Sequence, residues 1–369
     1  MSFTFFWLLL VLMIAGLPIA FALMIAPGIS LFFDGQQSMF PMLLMRMYNG
    51  MDSFPLMAIP YFILAGEVMN RGGITTRLVR LSQALIGHLR GGLAHVNILS
   101  SILFAGLSGS AVADTSAIGS MLIPAMEKNG YTKRFSAAVT AASSVIGPII
   151  PPSGIMIIYA FVMNVSVAGL FAAGLVPGLM VGFSLMGMTV YLSKKRNYPV
   201  ASQRASFNEV FISFKGAILP LLTPIIILGG ILAGIFTPTE AAAIAAGYAI
   251  LISVFVLRTL KFKDIPKVLF NAALSSGMIL FLVGASTAFA TLVSLTGTAP
   301  KAMEIMNSIS QNPLVLLFLV NLLLFFVGMF LDAGPAILIL GPVLGPTFIG
   351  LGVDPLHFAI IMCVNVTVG

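Results

Sequence analysis

Charged residues and cysteine are scarce in this sequence, and both shortages narrow its possible functions. Charged residues make up 8% of the 369 residues and hydrophobic residues 59%, whereas soluble proteins average about 25% charged residues. That composition excludes an ordinary soluble enzyme. The single Cys363 excludes an internal disulfide, and His88, His95 and His357 do not cluster as a metal site requires. The sequence has no Gly-x-x-x-x-Gly-Lys-Ser/Thr loop, so the chain does not hydrolyse ATP itself.

Long apolar stretches fill most of the chain. Most are long enough to cross a hydrocarbon core of about 30 Å, and they cover residues 3–33, 55–69, 135–163, 167–192, 217–235, 241–257, 268–295 and 313–331. Residues 1–7 lack the basic start of a cleaved signal peptide, so we interpret the first stretch as membrane helix. The sequence therefore predicts an all-α polytopic membrane protein embedded in a lipid bilayer.

Basic residues give the chain a net charge of +7 and lie in short loops between the apolar stretches. Membrane topology explains this placement, and we predict no nucleic-acid partner. The positive-inside rule places all four basic clusters in the cytoplasm. They are Arg71, Arg77, Arg80 and Arg90; Lys128, Lys133 and Arg134; Lys194, Lys195, Arg196 and Arg204; and Arg258, Lys261, Lys263 and Lys267.

One segment occurs twice. FAGLSGSAVADTSAIGSMLIPAM at residues 104–126 returns 222 residues later as FVGMFLDAGPAILILGPVLGPTF at 326–348, with six identical positions, and the same offset places Gly147 over Gly369. Counting membrane crossings, the first copy starts from the cytoplasm and the second from outside. Interrupted apolar segments in matching positions of two halves are typical of transporter binding sites. The sequence thus predicts an inverted structural repeat.

Each repeat contains a pair of apolar arms that are short for full spans, at 93–107 with 111–126 and at 314–330 with 333–348. Their polar or glycine-containing connections favour re-entrant hairpins, because irregular backbone at membrane depth must be buried or line a cavity. Two full crossings would give the same sidedness. With the interruptions near Gly147 and Gly369, the predicted fold has two re-entrant hairpins and two broken helices. If Pro18 matches Pro238, Met1 lies outside.

Hydroxyl groups and freed backbone carbonyls at each hairpin tip and helix break predict a cation site. Neutral oxygen ligands suit Na⁺, whereas Mg²⁺ or Ca²⁺ would normally require carboxylates that are scarce here. The first Na⁺ site is predicted at Ser108, Gly109, Ser110, Ser143, Gly147, Pro148 and Ser153. The second is predicted at Gly328, Asp332, Gly334, Asn365, Thr367 and Gly369.

Half-helix N-termini that face one cavity would favour an anionic substrate. The candidate substrate ligands are hydroxyl groups at Ser110, Thr115, Ser116, Ser286 and Thr287. Such hydroxyls bind polyhydroxylated ligands, but they equally often bond the backbone of their own helix.

Acidic residues inside membrane segments are costly and indicate function. They are Glu67, Asp114, Asp332 and Glu240. Asp114 either binds a cation or substrate directly, or caps or braces its hairpin. Glu240 follows Thr237-Pro238-Thr239, so a helix-start role is an equal alternative.

Four motifs resemble the large membrane (M) subunit of tripartite ATP-independent periplasmic (TRAP) transporters. They are GLSGSAVADTSAIGSMLIPAM, SSVIGPIIPPSGIMIIYA, FTPTEAAAIAAGYA and FVGMFLDAGPAILILGPVLGP, which occur in the family's order. The resemblance implies sodium-driven secondary uptake, an elevator-type motion and location in a bacterial inner membrane. It also implies two partners, a small membrane (Q) subunit and a soluble periplasmic substrate-binding (P) protein.

Within that family the general run of the sequence is most similar to sialic acid (N-acetylneuraminate) transporters, although no single residue shows that substrate. A C4-dicarboxylate or another carboxylate is the alternative. Family members continue past NVTVG with a Thr-Pro-Pro-containing break and a final helix, so we expect the second broken helix and its ion site to be incomplete here.

The predicted organisation has four parts: scaffold helices at 1–90, a first hairpin and broken helix at 91–165, linking and scaffold helices at 166–310, and a second hairpin and broken helix at 311–369. The two hairpin parts would form the transport domain. An intramembrane aspartyl protease is disfavoured because Asp114 and Asp332 fall at non-equivalent repeat positions without a Gly-x-Gly-Asp motif. No helix has the long polar stripe of a channel, and an ABC-type permease would need a separate ATPase. We therefore predict a transporter subunit rather than an enzyme.

Overall fold

The structure is a computed structural model that describes residues 4–200 and 204–369, and these residues form helices without any β-strand. The predicted all-α fold is confirmed. The α-helices are α1 Thr4–Ile14, α2 Ile19–Phe33, α3 Phe40–Met51, α4 Ala58–Arg71, α5 Ile74–Ile86, α6 Gly92–Ser108, α7 Ala111–Lys128, α8 Lys133–Ser144, α9 Ile146–Ile149, α10 Gly154–Met163, α11 Val167–Lys195, α12 Phe207–Leu232, α13 Pro238–Leu251, α14 Ile265–Leu295, α15 Thr298–Ile309, α16 Pro313–Gly328, α17 Ala333–Gly350 and α18 Pro355–Val368.

The chain divides into two compact units. Unit 1 comprises Met1–Met57, Ile157–Leu170 and Leu274–Gly369, and unit 2 comprises Ala58–Met156 and Phe171–Ala273. Each unit therefore holds one of the two predicted hairpins, α6–α7 in unit 2 and α16–α17 in unit 1. The functional division into scaffold and transport parts stays a prediction.

Local sequence signals set the helix ends. Ser206 with Glu209, and Thr237 with Glu240, form reciprocal capping boxes at the starts of α12 and α13. Asp354 begins α18 by accepting hydrogen bonds from two backbone amides. These polar caps satisfy amides that would otherwise lack partners at the helix ends.

Five helices of the described chain are long and apolar enough to cross a membrane, or six if the bent pair Lys133–Ile149 and Gly154–Met163 counts as one span. That pair bends by 43° at its break. The first arms of the two hairpins have 17 and 16 residues, about 25 Å each. Both are shorter than the hydrocarbon core, as predicted for the hairpins, while re-entry itself stays a prediction.

Each unit has its own apolar core. In unit 1 the aromatic rings of Phe5 and Phe289 pack edge to face at 5.3 Å within a cluster from α1, α2, α3, α14 and α17. In unit 2 a cluster centred on Phe104, Ile118 and Leu122 joins the first hairpin to α4, α5, α12 and α13. Apolar packing within unit 2 therefore anchors one face of the first hairpin.

The basic clusters of unit 2 lie at one end of that unit. Arg90 forms an isolated antiparallel bridge with Val200, the Thr132 and Tyr198 hydroxyls are 3.3 Å apart, and Thr259 Oγ1 donates to the carbonyl of Gly72 at 2.7 Å. These three contacts link the loops that carry the four clusters. The loops that carry the clusters are thus close together, and their side of the membrane stays a prediction.

Candidate cation site

The tip of the first hairpin lies directly against the break of the first broken helix. A Cβ placed on Gly147 would lie 3.3 Å from the carbonyl oxygen of Ser110. A Cβ on Gly109 would overlap the carbonyl oxygen of Pro152 and lie 3.2 Å from Cα of Ser153. Gly109 also has φ +58°, a left-handed conformation that favours glycine. The structure therefore brings the predicted tip and break residues of unit 2 together.

Hydroxyl groups at this junction serve as helix caps while keeping acceptor capacity. Ser110 Oγ accepts from the amide of Ala113 at the start of α7, and Ser153 Oγ accepts from the amide of Met156 in the first turn of α10. Two helix N-termini, each with a partial positive charge, thus flank the break. Their exposed amide dipoles favour an anion nearby, while the hydroxyl oxygens and the carbonyls of the break can hold a cation.

The break leaves carbonyl groups without helical hydrogen-bond partners because its sequence cannot continue a helix. Ile150 is extended, with ψ 126°, and the next two residues are prolines joined by a cis peptide bond. Proline has no amide to donate, so carbonyls one turn earlier lose their helical partners. Ile149, Pro148 and Gly147 are buried, which makes their carbonyls candidate ligands screened from water.

A fully buried network of polar side chains joins the first arm α6 to α8. Asn97 Nδ2 donates to Thr140 Oγ1 at 2.7 Å, and Ser143 Oγ donates to Asn97 Oδ1 at 2.9 Å. Ser101 Oγ donates to Ser143 Oγ at 3.1 Å. Ser143, predicted as a cation ligand, therefore has its hydroxyl engaged in this network. Our sequence reasoning missed Asn97 and Thr140, although an asparagine within an apolar arm is itself a signal of an interhelical bond.

Asp114 is the most unusual acidic residue of the hairpin. It is 1% exposed, and neither carboxyl oxygen has a hydrogen-bond partner among the described residues. The nearby Ser101 hydroxyl donates to Ser143 instead. Asp114 also lies in the first turn of α7, where a carboxylate favours the helix start, so its predicted roles stay predictions.

In unit 1 the second hairpin also contacts its following helix. A Cβ on Gly328 would lie 2.6 Å from the carbonyl oxygen of Val366 and 3.0 Å from Cα of Gly369. Asn365 Nδ2 donates to Asn321 Oδ1 at 2.6 Å, which links α18 to α16. The structure therefore brings together Gly328, Asn365 and Gly369 of the second predicted site.

The remaining members of the second predicted site have different surroundings. Asp332 precedes α17 and makes no side-chain capping bond; its side chain is exposed. Gly334 is buried in the first turn of α17, and a Cβ placed on Gly334 would lie 3.9 Å from Asp332 Oδ2. Thr367 Oγ1 donates to the carbonyl of Cys363 at 2.6 Å. These residues offer one exposed carboxylate and one hydroxyl with spare acceptor capacity.

The predicted substrate hydroxyls belong to both units. Thr115 and Ser116 are exposed on α7 of unit 2. Ser286 and Thr287 of unit 1 both donate to the carbonyl of Val283, at 2.7 and 2.9 Å. The latter pair thus bonds its own helix, which was the alternative for such residues, and their ligand role stays a prediction.

Two further acidic residues have local partners. Glu67 Oε1 lies 2.7 Å from Arg71 Nε and accepts from Asn271 Nδ2 at 3.1 Å. Glu240 closes the capping box of α13 by accepting from the amide and hydroxyl of Thr237. The helix-start role predicted as an alternative for Glu240 is confirmed.

Comparisons with known proteins place this architecture in a family. The chain is 40% identical over 370 residues to the "Putative TRAP transporter large permease protein" of Haemophilus influenzae, with 99% of this chain and 85% of that protein covered. It is 39% identical to the "Sialic acid TRAP transporter large permease protein SiaM" of Vibrio cholerae, covering 97% and 83%. It is 37% identical to the "C4-dicarboxylate TRAP transporter large permease protein DctM" of Rhodobacter capsulatus, covering 99% and 86%.

A solved structure supports the fold. The crystal structure of the Alcanivorax borkumensis YdaH transporter matches 90% of this chain and 77% of its own chain, with a TM-score of 0.65 and 17% identity. At that identity the likeness concerns the fold alone. Relatives named for different acids are similar to nearly the same degree, so the sialic acid type is not singled out. The model of the family described as "Tripartite ATP-independent periplasmic transporter, DctM component" matches residues 6–369, and the chain belongs to this family of transporter permeases.

Proposed function

We propose that this chain is the membrane subunit that carries an organic acid inward in a sodium-coupled TRAP transporter. The observation that carries the proposal is the contact between the first hairpin tip and the helix break in unit 2, seen at Gly109 and Gly147. At this contact two helix starts, several hydroxyls and freed carbonyls meet within buried surroundings. Such a junction suits a site that binds a small cation and orders the tip around it.

The chemistry favours Na⁺ at this junction. The candidate ligands at the junction are carbonyl and hydroxyl oxygens of residues 108–110 and 147–153. Within residues 4–200 and 204–369, no group of three His, Cys, Asp or Glu side chains is positioned to hold a metal ion. Neutral oxygens hold a monovalent cation without the carboxylates that divalent ions require. One bound cation would lower the cost of bringing an anionic substrate to the same membrane depth.

The second hairpin motif supports a second sodium site of different composition. It brings Gly328 beside Val366 and Gly369, and places the exposed Asp332 at the start of α17. We propose sodium coupling through both motifs, with Asp332 contributing a charged oxygen in the second.

The substrate we propose first is sialic acid, and a C4-dicarboxylate is the second candidate. Both belong to the organic acids after which relatives of 39% and 37% identity are named. Hydroxyls at Ser110, Thr115 and Ser116 favour the polyhydroxylated acid, since each can donate and accept a hydrogen bond. A dicarboxylate would depend more on the helix starts at Ser110 and Ser153.

The proposed partners follow from membership in a tripartite family. We propose a small membrane subunit beside this chain in the bacterial inner membrane, and a soluble periplasmic protein that delivers the acid. Transport would proceed by an elevator-type movement of the hairpin-bearing parts. This mechanism rests on the family resemblance.

Uptake into proteoliposomes tests the proposal. The chain is reconstituted with its small subunit, and uptake of radiolabelled sialic acid and of succinate is measured with Na⁺ or K⁺ outside, with and without the binding protein. We expect uptake of one acid to require both Na⁺ and the binding protein. Uptake of succinate alone would replace the first substrate by the second, and equal uptake in Na⁺ and K⁺ would refute sodium coupling.

A matched pair of variants locates the sodium effect. Ser110→Leu places a bulky apolar side chain at the tip, whereas Ser120→Leu makes the same change at an exposed position of the same helix. We expect Ser110→Leu to reduce sodium-dependent uptake at least about tenfold, the loss of about 1.4 kcal/mol of binding, while Ser120→Leu retains it. Equal effects would show that the tip is not the cation site.

A further inference from the structure

A cavity of about 430 Å³ lies within unit 2, lined by residues of α8 and α11 with Ile98 of α6 and the adjoining Arg196. Apart from Arg134, Thr189 and Arg196, the residues that line it are apolar, and Phe135, Val139 and Leu185 are among them. Its volume is in the range of small-molecule sites, which usually combine apolar walls with a few polar groups. The cavity is separate from the hairpin tip and from the residues proposed to bind sodium.

The two arginines lie at one end of the cavity and at the basic end of unit 2. Arg134 is in the first turn of α8, and Arg196 directly follows α11. The lining also includes Ala142 of α8 and Leu185 of α11. At 1.5 Å per residue these lie about 12 and 16 Å along their helices from the respective arginines. The cavity therefore extends from a cationic entrance toward the apolar interior.

Aromatic packing holds one of the arginines in place. The guanidinium carbon of Arg196 lies 5.4 Å from the centre of the Phe135 ring, a distance typical of a cation–π contact. Phe135 packs against Tyr198 at 4.8 Å, and Tyr198 stacks on Tyr131 at 4.6 Å. Burial raises the pKa of Tyr131 to about 12, so its ring stays uncharged. Arg196 is thus a positioned positive charge at the entrance.

The charge of this entrance is not compensated by the protein. Among residues 4–200 and 204–369, neither Arg134 nor Arg196 forms an ion pair with a carboxylate. No acidic residue lines the cavity, and Lys133, Lys194 and Lys195 flank the two arginines in sequence. An anion at the entrance would therefore meet positive charge on several sides.

We propose that this cavity binds an anionic phospholipid, with the phosphate between Arg134 and Arg196 and part of one acyl chain along the apolar wall. Basic pockets between membrane helices on the cytoplasmic side bind such head groups. Arginine binds phosphate oxygens through two parallel donors. The apolar depth of the cavity gives the acyl chain a binding contribution that a water-soluble phosphate cannot provide. This inference is independent of the transported acid and of sodium coupling.

Lipid titration monitored by native mass spectrometry tests the proposal. The chain with its small subunit is delipidated in detergent and titrated with phosphatidylglycerol, with phosphatidylcholine of the same acyl chains, and with glycerol 3-phosphate. We expect one phosphatidylglycerol to bind at least about tenfold more tightly than phosphatidylcholine, and glycerol 3-phosphate to bind weakly. Arg134→Gln and Arg196→Gln should each weaken phosphatidylglycerol binding about fivefold, and the double variant about thirtyfold, because each basic residue near such a head group contributes about that factor.

Matched controls distinguish the cavity from general surface charge. Lys133→Gln and Lys195→Gln remove the same charge one position before each arginine, but neither lysine lines the cavity; both should retain binding. Ala138→Phe, which adds bulk at the cavity wall, should weaken the lipid while both arginines remain. Thermal unfolding of each variant checks folding.

Several results would overturn the proposal. Equal losses in the lysine and arginine variants would assign the effect to surface charge. Binding of glycerol 3-phosphate as tight as that of the lipid would make this a soluble-phosphate site. Cross-linking of a helix of the small subunit to Ala138→Cys, with no lipid bound, would identify a protein occupant instead.

Discussion

The two hairpin motifs share six identical positions at an offset of 222 residues but differ in their polar side chains. In unit 2 the first arm is bonded to the following helix through Asn97, Thr140, Ser143 and Ser101, and the acidic residue Asp114 is buried. In unit 1 a bond between Asn321 and Asn365 connects the first arm to the following helix, and the acidic residue Asp332 is exposed.

The backbone contacts differ as well. Gly147 lies against Ser110 at the tip of its hairpin, whereas its counterpart Gly369 lies against Gly328 and the carbonyl of Phe325 within the first arm. Repeated sequence therefore preserves the arrangement of a hairpin on a following helix, but it does not preserve the contacts. We infer that the two motifs have different rigidity and different responses to sodium, and paired substitutions can test this.

The largest difference is expected between two glycines at the hairpin turns. Gly109→Ala places a Cβ onto the carbonyl of Pro152 at positive φ, which should cost more than about 2 kcal/mol and abolish sodium-dependent uptake. Gly334→Ala meets no atom closer than 3.9 Å in the first turn of α17, so its stability should change by less than about 1 kcal/mol. Thermal unfolding and uptake of both variants provide the measurement; similar losses in the two would contradict the tighter contact in unit 2.

The arm-to-helix bonds should give the next largest difference. Asn97→Leu inserts the residue type found at its repeat counterpart 319 and removes two buried hydrogen bonds, at a cost of about 2 kcal/mol. Asn321→Leu inserts the residue type of its counterpart Leu99, and Asn365 keeps its bond to the carbonyl of Ile361, so the cost should be about 1 kcal/mol or less. Denaturant unfolding compares the two, and a larger loss for Asn321→Leu would reverse the assignment of the more rigid motif.

The two aspartates should differ in sodium response rather than in stability. Asp332→Asn removes an exposed charged oxygen at the proposed second site and should raise the half-saturating Na⁺ concentration about two- to fivefold, as expected for an exposed charge worth up to about 1 kcal/mol. Asp114→Asn replaces a buried carboxyl by a neutral amide of similar size. Because burying a charged group is costly, a neutral side chain here should not lower the stability. Asp114 is not among the proposed sodium ligands, so the sodium affinity should also stay unchanged. Sodium titration of uptake decides: a larger shift for Asp114→Asn would make the buried carboxyl the cation ligand.

The smallest effect concerns the helices that precede the hairpins in each half. The second half begins α13 with the Thr237–Glu240 capping box, whereas α2 of the first half follows Pro18 without a side-chain cap. Glu240→Ala removes one half of the capping box, so it should destabilise the protein only slightly and leave the sodium dependence of uptake unchanged. Thr237→Ala is the partner variant, and loss of sodium dependence in Glu240→Ala alone would restore a transport role for this acid.

Much of the fold was predictable because glycine and proline mark its interruptions. The arms predicted at 93–107 and 111–126 correspond to Gly92–Ser108 and Ala111–Lys128, and those at 314–330 and 333–348 to Pro313–Gly328 and Ala333–Gly350. The meeting of tip and break was inferred from the repeat for both halves. In unit 2 the contact involves the predicted residues Gly109 and Gly147, because small residues permit the backbones to approach closely.

The side-chain network was not predictable from spacing. Asn97 and Thr140 lie on different helices, and their bond depends on how α6 and α8 are rotated against each other, which the period of hydrophobic residues fixes only within wide limits. The same limit applies to Asp114, whose burial without a partner is a property of packing. The sequence also does not show how the hydroxyls of Ser286 and Thr287 bond. Such a hydroxyl can bond the backbone of its own helix or a ligand, and the sequence pattern is the same in both cases.

The length of α11 has a consequence for the surrounding bilayer. Its 29 residues span about 43 Å, against a hydrocarbon core of about 30 Å, and its last two residues are Lys194 and Lys195. The excess is accommodated by helix tilt, by local thickening of the membrane, or by extension of the basic end among the head groups. Because each of these changes with acyl-chain length, α11 makes the energy of this protein depend on membrane thickness, and thus on which membrane it occupies.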